Sequence, residues 1–76
     1  MTKLARAAAI GESSRVQGYA LAGAVVYPAE DEAEVRVAWR SLPADVEVVI
    51  VTARAAAWLG DQLTERPVPL PVVMPG

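Results

Sequence analysis

The sequence of 76 residues contains neither cysteine nor histidine. Without cysteine the chain forms no disulfide and offers no thiolate as a nucleophile or metal ligand. Without histidine it lacks the side chain that most often shuttles protons and binds metals near neutral pH. Chemistry would have to depend on carboxylates, hydroxyls or amines, and the alternative is a protein that acts by contact with a partner.

Strong charge and long apolar runs are absent as well. The seven Lys and Arg are spread along a chain with nine Asp and Glu, so there is no basic stripe and we expect no nucleic-acid partner. The apolar residues near the start are interrupted by Arg6 and Glu12, which is not typical of a signal peptide. We therefore expect a cytoplasmic protein that does not insert into the membrane.

The most informative stretch that is present is a run of β-branched residues at 46–52, Val-Glu-Val-Val-Ile-Val-Thr. This run is too short to span a membrane, and its composition is typical of a strand covered on both faces in a parallel sheet. A chain of this length has room for one small core, so we expect a single α/β domain over residues 1–76. Its stability should be marginal, and a partner that covers more surface would stabilise it.

Strand and helix signals alternate along the rest of the chain. Apolar segments predict further strands at residues 4–10, 24–27 and 72–74. In the first connection Ser14 and Gln17 have the spacing of a capping box, and Gly23 suits the end of that helix. In the third connection Thr52 is placed to cap a helix. The order βαβαβαβ predicts a four-stranded parallel sheet with right-handed crossovers.

The second connection begins with a cluster of carboxylates. We interpret the cluster as a first helical turn, where the helix dipole favours negative charge; a metal site would need converging ligands from elsewhere, and none is evident. The cluster consists of Glu30, Asp31, Glu32 and Glu34. Apolar residues at helical spacing then predict the buried stripes of the second and third helices, which are Val35, Ala38, Trp39 and Leu42, and Ala55, Ala56, Leu59 and Leu63.

Ligands of open parallel sheets bind beyond the carboxyl ends of the strands, which are here residues 11–14, 28–31 and 52–54. These loops contain no Gly-x-Gly-x-x-Gly turn and no Gly-Lys-Ser/Thr loop, so we expect no nucleotide and no other cofactor. A phosphoacceptor receiver domain would need an acidic pair after the first strand and an aspartate after the third. Thr52 stands where that aspartate would be, and Ser13 and Ser14 have no evident base to make either a nucleophile.

Several segments together resemble the F subunits of the V-type and A-type rotary ATPases. Residues 18–23, Gly-Tyr-Ala-Leu-Ala-Gly, are similar to the family's Gly-Phe-x-Leu-Ala-Gly and are the most specific part of the resemblance. Ala-Ile-Gly at residues 9–11, the strand at 48–52 and the Pro-Gly that follows the last strand support it. The resemblance covers most of the chain in the family's order.

The resemblance implies a three-layer, Rossmann-like or receiver-like fold with strand order 2-1-3-4. It also implies a non-catalytic central-stalk component of a proton- or sodium-translocating ATPase, at the membrane periphery, that docks on the coiled-coil rotor subunit, the D-type subunit. The family's pattern continues into a C-terminal helical segment that we expect to be absent here. The competing hypothesis is a degenerate receiver-like module that signals by protein contact, and an enzyme is the third.

Six residues are candidates for the partner interface: Gly18, Tyr19, Leu21, Thr52, Arg54 and Trp58. Each has a structural alternative to partner contact. Tyr19 and Leu21 could lie in the core, and Trp58 could lie in the core or at its edge. Gly18 could serve helix packing. The implied strand order leaves one sheet face with a single helix. We therefore expect an exposed apolar patch there, available to a partner or to a second copy in a homodimer. It is formed by residues 46, 48 and 50 or by residues 47, 49 and 51, with Val72 and Met74 or Val73 nearby.

Overall fold

The computed structural model describes residues 6–75, so Leu4 of the predicted first strand and Gly76 lie outside the described residues. The chain alternates strands with helices throughout this range. Each of the three connections between the strands contains an α-helix, and the first and third helices continue into a 3₁₀ segment. In order, the elements are β1 Arg6–Gly11, α1 Ser13–Val16, a 3₁₀ segment Gln17–Ala22, β2 Val25–Pro28, α2 Glu32–Ser41, β3 Val46–Val51, α3 Ala53–Leu59, a 3₁₀ segment Gly60–Thr64 and β4 Leu70–Val73.

All four strands are parallel and lie in the order β2-β1-β3-β4. The α/β fold and the strand order expected from the resemblance are thereby confirmed. The crossover from β1 to β2 runs in one direction across the sheet, and the next two run in the other. Because such crossovers are right-handed, α1 lies on one face of the sheet and α2 and α3 lie on the other.

The face under α2 and α3 holds the main core. Its strand residues include Ile10 and Val49, which are buried together with Val35, Trp39 and Leu59 of the two helices. The opposite face is covered by α1, where Val16 is fully buried. One helix shields only part of that face, because α1 contacts β1 and β2 but lies away from β4.

A bulge in β3 decides which apolar residues reach each face. Arg6 pairs with Val46 and Ala7 pairs with Val48, so Glu47 is an extra residue in β3. Val46 therefore shares the core face with Val49, although simple alternation would separate them. The prediction that residues 46, 48 and 50 share a face was wrong for Val46.

The apolar patch on the half-covered face is present. Pairing places Leu70 beside Val48 and Val72 beside Ile50. Leu70 is 59% exposed and Val72 is 47% exposed, whereas Val48 and Ile50 are half-buried. We refer to these four residues as the open patch.

The first helix differs from the prediction. It begins at Ser13 with Glu12 in the N-cap position and no side-chain cap, and it becomes a 3₁₀ segment after Val16. The predicted capping box of Ser14 and Gln17 is therefore wrong. A carboxylate from another part of the chain accepts a hydrogen bond from the first turn of this helix, since Ser13 N donates to Glu30 Oε2 at 2.8 Å. The segment ends as predicted at Gly23, whose φ of 91° is accessible to glycine.

The other helix boundaries agree closely with the sequence. Asp31 caps α2 by accepting from Glu34 N at 2.8 Å, and the Glu34 side chain accepts from Glu30 N at 2.7 Å. The acidic cluster is thus the start of a helix, as interpreted. Thr52 caps α3, as predicted, by accepting from Ala55 N at 3.2 Å. Strand β4 begins two residues before the predicted 72–74 and includes Pro71, which an edge strand tolerates.

Candidate functional site

The position where this fold would bind a ligand lies between the carboxyl ends of β1 and β3. These two strands are neighbours, and the crossovers diverge from them in opposite directions. In open α/β sheets the resulting crevice is the usual ligand site. Here its walls are Gly11 and Glu12 on one side and Thr52 on the other, and we call it the switch-point crevice.

The crevice is closed by direct packing of Thr52 on Gly11. A β-carbon built on Gly11 would overlap Thr52 Cγ2 and would lie 2.8 Å from Thr52 Cβ. Gly11 also has a φ of 156°, which side chains rarely adopt. The Ala-Ile-Gly ending of β1 therefore has a physical cause, because only glycine permits the threonine to approach so closely.

Every hydrogen-bonding group of Thr52 has a partner inside the fold. Its N–H donates to Ile10 O at 3.1 Å, and its carbonyl accepts from Ala56 N at 2.9 Å. The hydroxyl accepts from Ala55 N and donates to Glu12 Oε1 at 2.5 Å. Thr52 is 1% exposed, so this candidate residue acts by holding the rim together, and its side chain does not reach the surface.

Glu12 is held in its ionised form by this arrangement. The hydroxyl of Thr52 and the backbone N–H of Glu12 donate to the carboxylate and lower its pKa, and the charges of Arg54 and Arg15 lower it further. A carboxylate with a lowered pKa is a poor general base and is not protonated near neutral pH. Within residues 6–75, no three acidic side chains converge as a metal site would require.

Two of the candidate residues form a small cationic and aromatic surface on α3. The guanidinium carbon of Arg54 lies 5.9 Å from the centroid of the Trp58 ring, within reach of a cation–π contact. Trp58 is half-buried against the main core, and its carbonyl accepts from Arg36 Nη2 at 3.3 Å. Trp58 is therefore a core-edge residue that also presents part of its ring to solvent.

The other three candidates lie on the first 3₁₀ segment. Leu21 is 95% exposed, so the alternative that placed it in the core is excluded. Tyr19 is half-buried, and its carbonyl accepts from Ala24 N at 3.1 Å. A β-carbon on Gly18 would meet no atom within 4 Å, so packing does not require glycine there.

The candidates form two separate groups. Gly18, Tyr19 and Leu21 belong to the connection on the face of α1, whereas Arg54 and Trp58 belong to α3 on the opposite face. Thr52 stands at the rim between them. A partner that contacts both groups must therefore reach around the carboxyl edge of the sheet.

Comparison with known protein families decides what this scaffold is related to. Residues 7–75 match the model of a family described as ATP synthase (F/14-kDa) subunit. The chain belongs to this family. As a family member it is a component of a rotary ATPase, and the resemblance seen in the sequence to the F subunits of the V-type and A-type enzymes is confirmed. A comparison with curated proteins produced no match.

Two features of this family member were missed from the sequence. One is the partnership of Glu12 with Thr52, for which the only signal was a carboxylate directly after β1 and a hydroxyl directly after β3. The other is an apolar groove of about 470 Å³ between β2 and α2, whose lining includes Val26, Tyr27 and Val37. Its signal was Val37, an apolar residue outside the predicted stripe of α2. Among the described residues, no helix combines the length and apolar character needed to cross a bilayer.

Proposed function

We propose that this chain is a non-catalytic central-stalk component of a V- or A-type rotary ATPase. It docks on the coiled-coil rotor subunit and turns with it, in the cytoplasm at the membrane periphery. The observation that carries the proposal is the filled switch-point crevice in a member of this family. Thr52 occupies that crevice with all its polar groups satisfied, so the edge that would hold a substrate serves as a structural joint.

Exposed apolar and aromatic residues support a role in docking. Leu21 stands almost entirely in solvent on a short 3₁₀ segment, where it contributes nothing to the core. Trp58 and Arg54 are residue types that often dominate binding energy at interfaces. We assign Leu21 and the pair Arg54 and Trp58 to direct contact, with Gly18 and Tyr19 shaping the segment that carries Leu21 and Thr52 supporting the rim.

The test is affinity for the purified coiled-coil rotor subunit, measured by calorimetry. Leu21→Glu should weaken binding at least about tenfold, because it puts a charge where an apolar contact forms. Val68→Glu is the matched control, since Val68 is another exposed apolar residue, 53% exposed, that lies outside the proposed interface. The control should bind as the parent chain does.

Two results would contradict the proposal. The folded parent chain could fail to bind the folded rotor subunit, which would remove the docking role itself. Alternatively, Leu21→Glu and Trp58→Ala could both leave the affinity unchanged while the chain still binds, which would remove the assigned surface. The competing hypothesis of a receiver-like signalling module would gain from the first result.

A further inference from the structure

We propose that the groove between β2 and α2 is a self-association surface that takes a second copy of this chain. The two copies would be related by a twofold axis, with their β2 strands antiparallel and their α2 helices side by side. The proposal does not depend on the docking role, since it concerns a different edge of the sheet. It also differs from a dimer through the open patch, which lies on the opposite face.

The first argument is the free edge of β2. Within the described residues β2 pairs with β1 alone. Ala29 N donates to Gly11 O at 2.8 Å, so the N–H groups of alternate residues in this strand point toward β1. By that alternation the N–H and C=O of Val26 point outward. Edges of this kind pair with other chains unless they are blocked.

The second argument is how short the usable edge is. Pro28 has no N–H, and the N–H of Ala24 is already bonded to Tyr19 O at 3.1 Å. An extended peptide laid along β2 would therefore find one complete residue, Val26, and little else. In an antiparallel ladder, the two residues of each hydrogen-bonded pair exchange both bonds. A second copy centred on Val26 satisfies the edge completely and brings a helix with it.

The third argument is the outer stripe of α2. Ala33, Val37 and Ser41 recur every four residues and line the groove together with Val26 and Tyr27 of the strand. Val37 is 54% exposed. Residues four apart lie on one face of a helix and form a ridge that can pack against another helix. The same twofold that pairs Val26 with its copy lays the two stripes together and buries both Val37 side chains.

The fourth argument is the charge at the two ends of that stripe. Glu34 lines the groove one turn before Val37, and Arg40 follows Val37 by three residues. When two such helices lie antiparallel around Val37, the acidic end of one is beside the basic end of the other. Arg40 lies outside the groove lining, so the complementarity is between the two ends of the helix, and it favours a twofold arrangement of two copies.

The experiment is sedimentation equilibrium of the parent chain from micromolar to millimolar concentration, with matched variants. We expect the mass to rise from 8.0 kDa to twice that value. Val37→Arg should remain monomeric. Val68→Arg is the control, because its valine is 53% exposed and lies outside the groove, and it should dimerise as the parent does. Arg40→Glu should weaken the dimer at least about tenfold, because it places like charges at both ends of the paired helices.

Hydrogen exchange gives a second readout that does not depend on the variants. The Val26 N–H should become protected as the concentration of the parent chain rises, and it should stay unprotected in Val37→Arg at the same concentrations. Circular dichroism verifies that each variant is folded. A parent chain that stays monomeric at millimolar concentration overturns the proposal. A dimer that survives Val37→Arg but is lost in Val72→Arg also overturns it, because association would then occur through the open patch.

Discussion

The two faces of the sheet are built from the same kinds of residue but differ in how far their side chains are buried. On the face of α2 and α3, Ile10 and Val49 are completely buried. On the other face, Ile50 is half-buried and Val72 is 47% exposed. The side chains are alike, so the difference arises from connectivity, which places two helices over one face and one over the other. The apolar character of a strand residue therefore does not determine its burial. The number of helices that the crossovers place over its face does.

Ile10 and Ile50 test this difference most strongly, because they are the same residue on neighbouring strands and opposite faces. Ile10→Ala should lower the free energy of unfolding by about 2–5 kcal/mol, since it empties a packed site. Ile50→Ala should cost about 1–2 kcal/mol, since its side chain keeps part of its solvent contact. Urea denaturation measures both values. Equal losses at the two positions would mean that the faces are equally packed.

Gly11 tests whether the rim holds the two faces together. Gly11→Ala forces a β-carbon against Thr52 at an unfavourable φ, so we expect a loss of about 1–3 kcal/mol in the free energy of unfolding. Gly18→Ala is the control, because a β-carbon there meets nothing. Chemical denaturation of both variants checks the prediction. A tolerated alanine at Gly11 would show that Thr52 moves away without cost.

Thr52 connects α3 on one face with Glu12 at the start of α1 on the other. Thr52→Val removes the cap of α3 and the hydroxyl that Glu12 accepts from, so it should cost about 1–2 kcal/mol at neutral pH. Glu12 has a lowered pKa in the folded chain, so its contribution is present above the unfolded value and is lost as the pH falls through the folded value.

The pH dependence separates the two parts of this effect. The difference between parent and variant should be constant near neutral pH and should shrink below about pH 4.3, where glutamate ordinarily protonates. The remainder at low pH reports the cap alone. Denaturation curves at several pH values measure this, and a difference that grows on acidification would contradict the assigned role of Glu12.

The smallest change in the free energy of unfolding is expected at Val72, in the open patch. Val72→Thr should change the free energy of unfolding by less than about 0.5 kcal/mol, because the side chain already contacts water. The same change at Val49 puts a hydroxyl into the main core and should cost about 1–3 kcal/mol. Thermal unfolding of the two variants compares them directly. A large loss at Val72 would mean that the patch is covered in solution.

The elements that were predictable from the sequence share strong local signals. The run at residues 46–52 indicated β3 through its β-branched composition, and the caps at Asp31 and Thr52 follow from side chains that bond their own helix. The first helix was predicted poorly because its start is served by Glu30, a residue 17 positions away. No local pattern contains that information.

The surface was the least predictable part. The bulge at Glu47 moved Val46 to the other face, and a register shift of this kind depends on the neighbouring strand. Leu21 and Val37 are apolar but 95% and 54% exposed, because the exposure of a side chain depends on packing between elements and not on its residue type. The lack of reactive side chains in the loops was visible from residue types, whereas the closure of the crevice required knowing that Gly11 and Thr52 touch.

The hydroxyl of Thr52 lies where a ligand atom would lie in a sheet protein that binds a small molecule at its switch point. The hydroxyl already bonds the groups that such a ligand would contact, which are the Glu12 carboxylate and the first turn of α3. The rim is thus joined by a side chain of the chain itself, which does not dissociate as a bound ligand does. The contacts at this rim are therefore the same whether or not a small molecule is present.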